Sequence, residues 1–188
     1  LPYYVKDAAY HNGIMWQWNT GPAVSAMTGF GMADSAWVLM DEQTNQILNR
    51  GAAGTLAELM DVLAKPGADI PALSGTFSQA WSLAEYIRNV NDDFLGVHID
   101  APANAIYLIP GLPKKMQKVE FTKSFSGNTV KMLYDNSAQL NRVTVICTQI
   151  DTLVDIGIAL VNFAGANFQI KTDISHGDVL TLEVPAYA

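Results

Sequence analysis

The chain has 188 residues, 49% hydrophobic and 15% charged, which provides for a proper core and excludes intrinsic disorder. Its net charge of −7 and pI near 4.7 weigh against a nucleic-acid partner, because phosphate contacts need clustered Lys and Arg. No apolar run approaches the roughly 18 residues of a membrane helix, so no membrane partner is expected either.

The chain opens Leu-Pro-Tyr-Tyr-Val-Lys-Asp, without an initiator Met or a signal-peptide pattern. It reads as a piece of a longer polypeptide, whose upstream part is then an expected partner. A dense cluster follows at once: Tyr10-His11-Asn12-Gly13-Ile14-Met15-Trp16-Gln17-Trp18-Asn19-Thr20-Gly21-Pro22. Sugars have apolar C–H faces and polar rims, so their sites combine flat aromatics with fixed amides, imidazoles and carboxylates. Read alone, Trp16 and Trp18 suit a core as well as a pocket, and His11 suits a hydrogen-bonded packing position.

Thr20-Gly21-Pro22 predicts a helix start, with Thr20 as cap and Pro22 in the first turn, where its missing amide would be unpaired anyway. Ala23, Val24, Met27 and Phe30 give one apolar face, ending at Gly29 or Gly31. A second helix is predicted over 34–49, with Trp37, Val38, Met40, Ile47 and Leu48 turned inward and Gly51 as the stop. Residues 51–76 form a long connection rich in Gly, Ala and Pro. Its Leu56, Leu59, Met60 and Leu63 argue for a shaped active-site loop with one short helical turn. This loop carries Gly54-Thr-Leu-Ala-Glu58-Leu-Met-Asp61. A carboxylate among apolar residues is a candidate acid or base, and equally a helix cap or an ion-pair partner. Asp61 reads as a loop or cap residue. A third helix, predicted over 78–90, opens with Gln79 and Trp81 on a rigid support, and Glu85 and Arg88 are spaced to pair.

Between Val97 and Pro102 the apolar spacing changes from helical to period two. Strands are predicted at Ala105–Leu108, Lys118–Phe125, 129–134, 142–148, 155–162, 168–172 and 179–184. Turn chemistry stands at Ser126-Gly127-Asn128, Gly165-Ala166-Asn167 and Ser175-His176-Gly177-Asp178. The expectation is an α+β chain with domains at 1–98 and 99–188, the second an antiparallel β-sandwich. Cys147, in the alternation Val143-Val145-Cys147, reads as a small buried hydrophobe. His11, His98 and His176 lack ligand spacing, and no nucleotide or Gly-x-Ser-x-Gly motif occurs, so neither metal nor cofactor is expected.

Three clusters stand in order: Tyr-His-Asn-Gly-x-x-Trp-x-Trp with Gly-Pro, then Gly-x-x-x-Glu-Leu, then Gly-x-x-x-Gln-Ala-Trp-Ser-x-Ala-Glu. Together they resemble the C-terminal half of glycogen debranching enzymes, amylo-α-1,6-glucosidases built on an (α/α)6 toroid. The resemblance covers roughly the first hundred residues. It implies that residues 1–98 are part of the toroid and that the strands form an accessory sandwich. It implies an inverting hydrolase acting on α-1,6 branches of glycogen-like glucans, with Glu58 as the general base. His11, Asn12, Trp16, Trp18, Gln79 and Trp81 are then the residues of the sugar pocket. The family's general acid, an aspartate, lies upstream of these motifs, so this chain alone is expected to be inactive. Gln17 stands where the family usually has Pro, Gly75-Thr76 stands for a Gly-Cys-type start, and a set of strands follows where the family usually ends. The competing reading is a non-catalytic carbohydrate-binding or structural module.

Overall fold

In the computed structural model, which describes residues 3–137, 140–152, 154–162 and 165–185, three helices lie close to their predicted spans. The chain divides into one unit of residues 1–27 and 35–90 and another of residues 28–34 and 91–188. In the first, β1 (Met15–Trp16) runs into a 3₁₀ turn, Gln17–Asn19, and then into α1 (Thr20–Gly29). Thr20 already has helical torsions, φ −60° and ψ −35°, so the 3₁₀ turn feeds α1 directly and Thr20 does not stand outside it as a cap.

The buried residues of α2 (Ala33–Asn49) correct the predicted face. They are Ala36, Met40, Gln43 and Gln46, whereas Val38 and Leu48 are 66% and 68% exposed. The inward stripe still follows helical spacing, but its later positions are amides. They tolerate burial because they are bonded: Gln17 Nε2 donates to Gln46 Oε1 at 3.1 Å, and Gln43 Nε2 donates to the Gln17 carbonyl at 3.2 Å. In α3 (Ala80–Arg88), Glu85 and Arg88 pair as predicted, with Nη2 to Oε2 at 2.7 Å and Nε shared between both carboxylate oxygens. Arg88 also donates to Ser25 Oγ at 3.0 Å, tying α3 to α1. A π-helical turn, Asn89–Phe94, extends α3.

The connection over 51–76 holds no helix. It contains two two-residue strands, β2 (Leu59–Met60) and β3 (Leu73–Ser74), which join β1 in an antiparallel sheet of order β1-β2-β3. Leu56 and Leu59 are fully buried, while Leu63 is exposed. The predicted helical turn is replaced because the backbone here pairs with its neighbours across the sheet.

The second unit has two four-stranded sheets. One has the order β10-β9-β5-β4, from β4 (Val97–Asp100), β5 (Ala105–Leu108), β9 (Val154–Asn162) and β10 (Gly165–Ile174). The other has the order β11-β8-β7-β6, from β6 (Lys118–Phe125), β7 (Asn128–Asn136), β8 (Leu140–Gln149) and β11 (Val179–Pro185). Both sheets send alternate side chains into one core, including Ile106, Leu108, Ile156 and Ile158 from the first and Val130, Met132, Val143 and Val145 from the second. Cys147 belongs to this core, and burial above all pushes its thiol up, which keeps it protonated and unreactive.

The pairings of these sheets are antiparallel except that of β5 with β9, which is parallel. The predicted all-antiparallel arrangement fails at that pair, whose strands are distant in sequence and joined by no hairpin. Ser126 and Gly127, with φ of 48° and 80°, make the tight β6–β7 hairpin predicted there. Gly165-Ala166-Asn167, predicted as a turn, lies instead in β10, paired with β9. His98 and Ile99, on either side of the expected domain boundary, both lie in β4. Among the described residues, no helix is long and apolar enough to cross a membrane.

Candidate active site

Three short segments of the first unit meet around Glu58. Leu59, the next residue, is the central partner in the small sheet, opposite Trp16 on one side and Ser74 on the other. The backbone of Glu58 is bonded on both flanks: the Gln17 N–H donates to its carbonyl at 3.0 Å, and its own N–H donates to the Thr76 carbonyl at 3.0 Å. The Gln79 N–H donates to the Leu56 carbonyl at 2.9 Å, which pins the start of α3 to the same loop. Main-chain bonds thus bring together the three clusters singled out in the sequence.

Glu58 is only 7% exposed, and its two carboxylate oxygens have separate partners. Oε1 accepts the Tyr10 hydroxyl at 2.5 Å, and Oε2 accepts the Thr76 N–H at 3.0 Å. The first distance is that of a charge-assisted O–H···O⁻ bond. The Tyr10 bond is the main cause that holds the Glu58 carboxyl below the ordinary glutamate range; burial pushes it up, and the bonds from Thr76 lower it further. The Tyr10 phenol is pushed up, chiefly by the same bond. At neutral pH the carboxylate is therefore ionised and the phenol keeps its proton.

Gly75 makes the room. Its φ is +74°, a conformation that residues with a Cβ rarely adopt, and a Cβ there would stand 2.6 Å from Glu58 Oε2 and 2.9 Å from Glu58 Cβ. The Thr76 hydroxyl donates to Gln79 Oε1 at 2.8 Å, so Gln79 is fixed at the mouth of α3 beside the loop.

The aromatic residues form a connected group. Tyr10 meets Trp16 edge-on, with centroids 4.7 Å apart, and His11 stacks on Trp16 at 5.6 Å with 12° between planes. Trp81 contacts both indoles, Trp16 at 5.9 Å and Trp18 at 5.8 Å. Trp16 Nε1 donates to the Tyr10 carbonyl at 2.8 Å, which locks the first cluster on itself. Trp81 is 48% exposed, unusual for a core residue and suited to stacking against a ligand face. Asn12 is solvent-exposed, in a turn where its N–H donates to the Ala9 carbonyl at 3.0 Å. Of the residues singled out in the sequence, Asn12 has the weakest tie to this group.

Asp61 is buried, and its Oδ1 accepts the Tyr4 N–H at 2.8 Å, while Lys65 stands 3.8 Å from Oδ2. It ties down the incoming chain, in keeping with a loop residue. A cleft of ≈ 450 Å³ runs past the Ala57 and Thr76 that flank Glu58, lined also by Arg50, Leu73 and Phe77. The Trp residues do not line it, so it is a neighbour of the aromatic group and not part of it. The sequence places Tyr10 in the first cluster without a role, and it marks Gly75 only as the start of the third motif. The usable signals were a hydroxyl-bearing aromatic in the motif and a glycine just before the Thr76 that bonds Glu58. Among the described residues, no group of three His, Cys, Asp or Glu is arranged to hold a metal.

An ionised, oriented carboxylate beside exposed aromatic faces can take a proton from a water molecule next to a stacked, largely neutral ligand. The segment with this geometry also has a family match: residues 3–88 match the family model of amylo-alpha-1,6-glucosidase. No curated protein matches the chain.

Proposed function

We propose that this chain, whose residues 3–88 match the family model of amylo-alpha-1,6-glucosidase, is a C-terminal part of a glycogen debranching enzyme and contributes the base and part of the sugar pocket of an inverting glycosidase. Its substrate is an α-1,6-branched glucan. Glu58 is the general base. His11, Asn12, Trp16, Trp18, Gln79 and Trp81 form the pocket wall, with the indoles stacking on the sugar C–H faces. Residues 1–98 are part of an (α/α)6 toroid, and residues 99–188 are a β-sandwich accessory domain.

In the reaction, Glu58 accepts a proton from water as the water oxygen bonds to the anomeric carbon. The glycosidic C–O bond breaks, and the departing oxygen takes a proton from a carboxylic acid supplied by the upstream part of the same polypeptide. Inversion requires room for that water, so acid and base stand roughly 6.5–9.5 Å apart in such enzymes. Without that acid, the 188-residue chain binds glucan but does not turn it over.

The observation that carries this reading is the buried Glu58 carboxylate, kept ionised by two hydrogen bonds and joined through Tyr10 and Trp16 to the exposed ring of Trp81. The test is Glu58→Gln in the complete natural protein, assayed on an α-1,6-branched glucan. The expected loss in kcat is about 10²–10⁴-fold with glucan binding retained, the range that a positioned base contributes. A wild-type rate in Glu58→Gln overturns the assignment. Glucan binding by the wild-type protein without any hydrolysis favours the non-catalytic module instead.

A further inference from the structure

We infer that Tyr10 is the positioning residue of this base: its hydroxyl fixes the plane of the Glu58 carboxylate, and its phenolic oxygen serves as a second acceptor for the attacking water. The inference rests on the reading of Glu58 as the base. Its starting point is how each oxygen is held. The Thr76 N–H holds Oε2 at 3.0 Å, but contacts from Thr76 alone, on one side of the carboxylate, leave it free to swing about that residue. The Tyr10 bond to Oε1 at 2.5 Å removes that freedom and leaves lone pairs on both oxygens for the water.

The phenol is itself rigid. Its ring is edge-on to Trp16 at 4.7 Å and to His11 at 4.9 Å, and the Tyr10 carbonyl accepts the Trp16 indole N–H at 2.8 Å. A phenylalanine would keep these ring contacts, so the hydroxyl is what position 10 adds. Because its proton is committed to Glu58, the phenolic oxygen can only accept from a water. A water held by Glu58 and by this oxygen has both hydrogens engaged, and its own lone pair is left for the anomeric carbon. This is orientation of the nucleophile, a separate contribution from proton removal.

The titratable groups facing this pair are few. His11 packs against the Tyr10 ring, and Tyr4 acts on Tyr10 through space. Glu58 responds to Tyr10 first and to Thr76 next. Removing the hydroxyl therefore raises the Glu58 pKa as well as loosening the carboxylate.

The experiment is Tyr10→Phe in the complete natural protein. The expected kcat is about ten- to a hundredfold lower, a share of the ~10²–10⁴ that a positioned base provides, with KM changed far less. The acid limb of the kcat/KM profile moves to higher pH. A purely structural role lowers the folded fraction and leaves that limb in place. If Tyr10→Phe does not fold, 3-fluorotyrosine at position 10, a stronger donor of the same shape, is expected to move the acid limb to lower pH. Wild-type kcat and an unmoved limb in the folded variant overturn the inference. With Glu58→Gln inactive, that outcome removes Tyr10 alone and leaves the base standing. If instead Glu58→Gln is active, the base reading falls, and the water-orienting role of Tyr10 falls with it. The carboxyl NMR titration of Glu58, unmoved by Tyr10→Phe, then also overturns the hydrogen-bond coupling.

Discussion

The two units use their side chains in opposite ways. Among the described residues, every buried polar side chain except Asn128 lies in the first unit: Gln17, Thr20, Gln43, Gln46, Glu58, Asp61, Ser82 and Asn89. The second unit buries Val, Ile, Leu and Met from two sheets in a single core, and its one buried amide clamps a turn, Asn128 Oδ1 accepting the Asp151 N–H at 2.9 Å and the Thr152 N–H at 3.2 Å. Both units leave large apolar side chains exposed, Trp81, Phe77, Val38 and Leu48 in the first and Phe168, Ile170 and Val179 in the second, so the contrast lies in what is buried. Burying amides and carboxylates needs partners in fixed geometry, so such a unit is specified by hydrogen bonds more than by apolar volume. The second unit is held by volume, whereas the first is arranged around a charge.

Truncation in the second unit sharpens that contrast most. Ile156 is fully buried between the two sheets, and Ile156→Ala is expected to remove about 2–5 kcal/mol of stability, by lost transfer and by the cavity left behind. A urea melt followed by an optical probe measures it. Glucan affinity in the folded variant should match wild type. A lost affinity at full foldedness would break the division of labour between the units.

Gly75→Ala is the counterpart in the first unit, with a smaller cost and a different signature. The left-handed φ of +74° costs a Cβ residue about 1–2 kcal/mol, and the methyl would also meet Glu58 Oε2 at 2.6 Å. The expected outcome is a loss of stability of about that size together with a fall in kcat larger than the stability change explains. Calorimetry and the branched-glucan assay separate the two. A variant that loses stability and keeps its kcat would mean that the carboxylate adjusts freely, and the first unit would then be less tightly specified than its hydrogen bonds suggest.

What could be read from the sequence follows the same division. The strands of the second unit are legible because alternation is local: Lys118–Phe125 and Ala105–Leu108 are found at their predicted bounds. The parallel β5–β9 pair was not, because partner choice between distant strands leaves no mark on either. In the first unit the three helices are legible from spacing and stop signals, but their inward faces are not. A periodicity count takes only apolar residues as core, so it turned Val38 and Leu48 inward and missed Gln43 and Gln46. The two-residue strands β1, β2 and β3 are too short to carry any period. Two of the three departures from the resemblance also acquire physical meaning. Gln17 donates its N–H to the Glu58 carbonyl, which a proline cannot do. Thr76 serves Glu58 through its backbone N–H, which almost any residue supplies, so the side chain at that position is free to vary.

The smallest expected effect is electrostatic and compares one carboxylate from each unit. Glu58 and Asp178 are both held below the ordinary range, Glu58 chiefly by the Tyr10 hydroxyl and Asp178 chiefly by the Ser175 N–H. A depressed folded-state pKa contributes stability above the unfolded value and loses it as the pH falls through the folded one. Wild type should therefore be more stable than Glu58→Gln or Asp178→Asn near neutrality, and each gap should narrow in acid below the ordinary carboxylate range. The two should part in their response to salt. Asp178 sits in an exposed turn with Lys171 at 3.4 Å, so added salt screens part of its contribution. Glu58 is buried and held by hydrogen bonds from neutral donors, so its gap should persist in high salt. Thermal melts of the three proteins across acid pH, at low and high ionic strength, check both statements. Equal salt sensitivity would mean that Glu58 is hydrated like a turn residue, which is incompatible with a base shielded in a pocket.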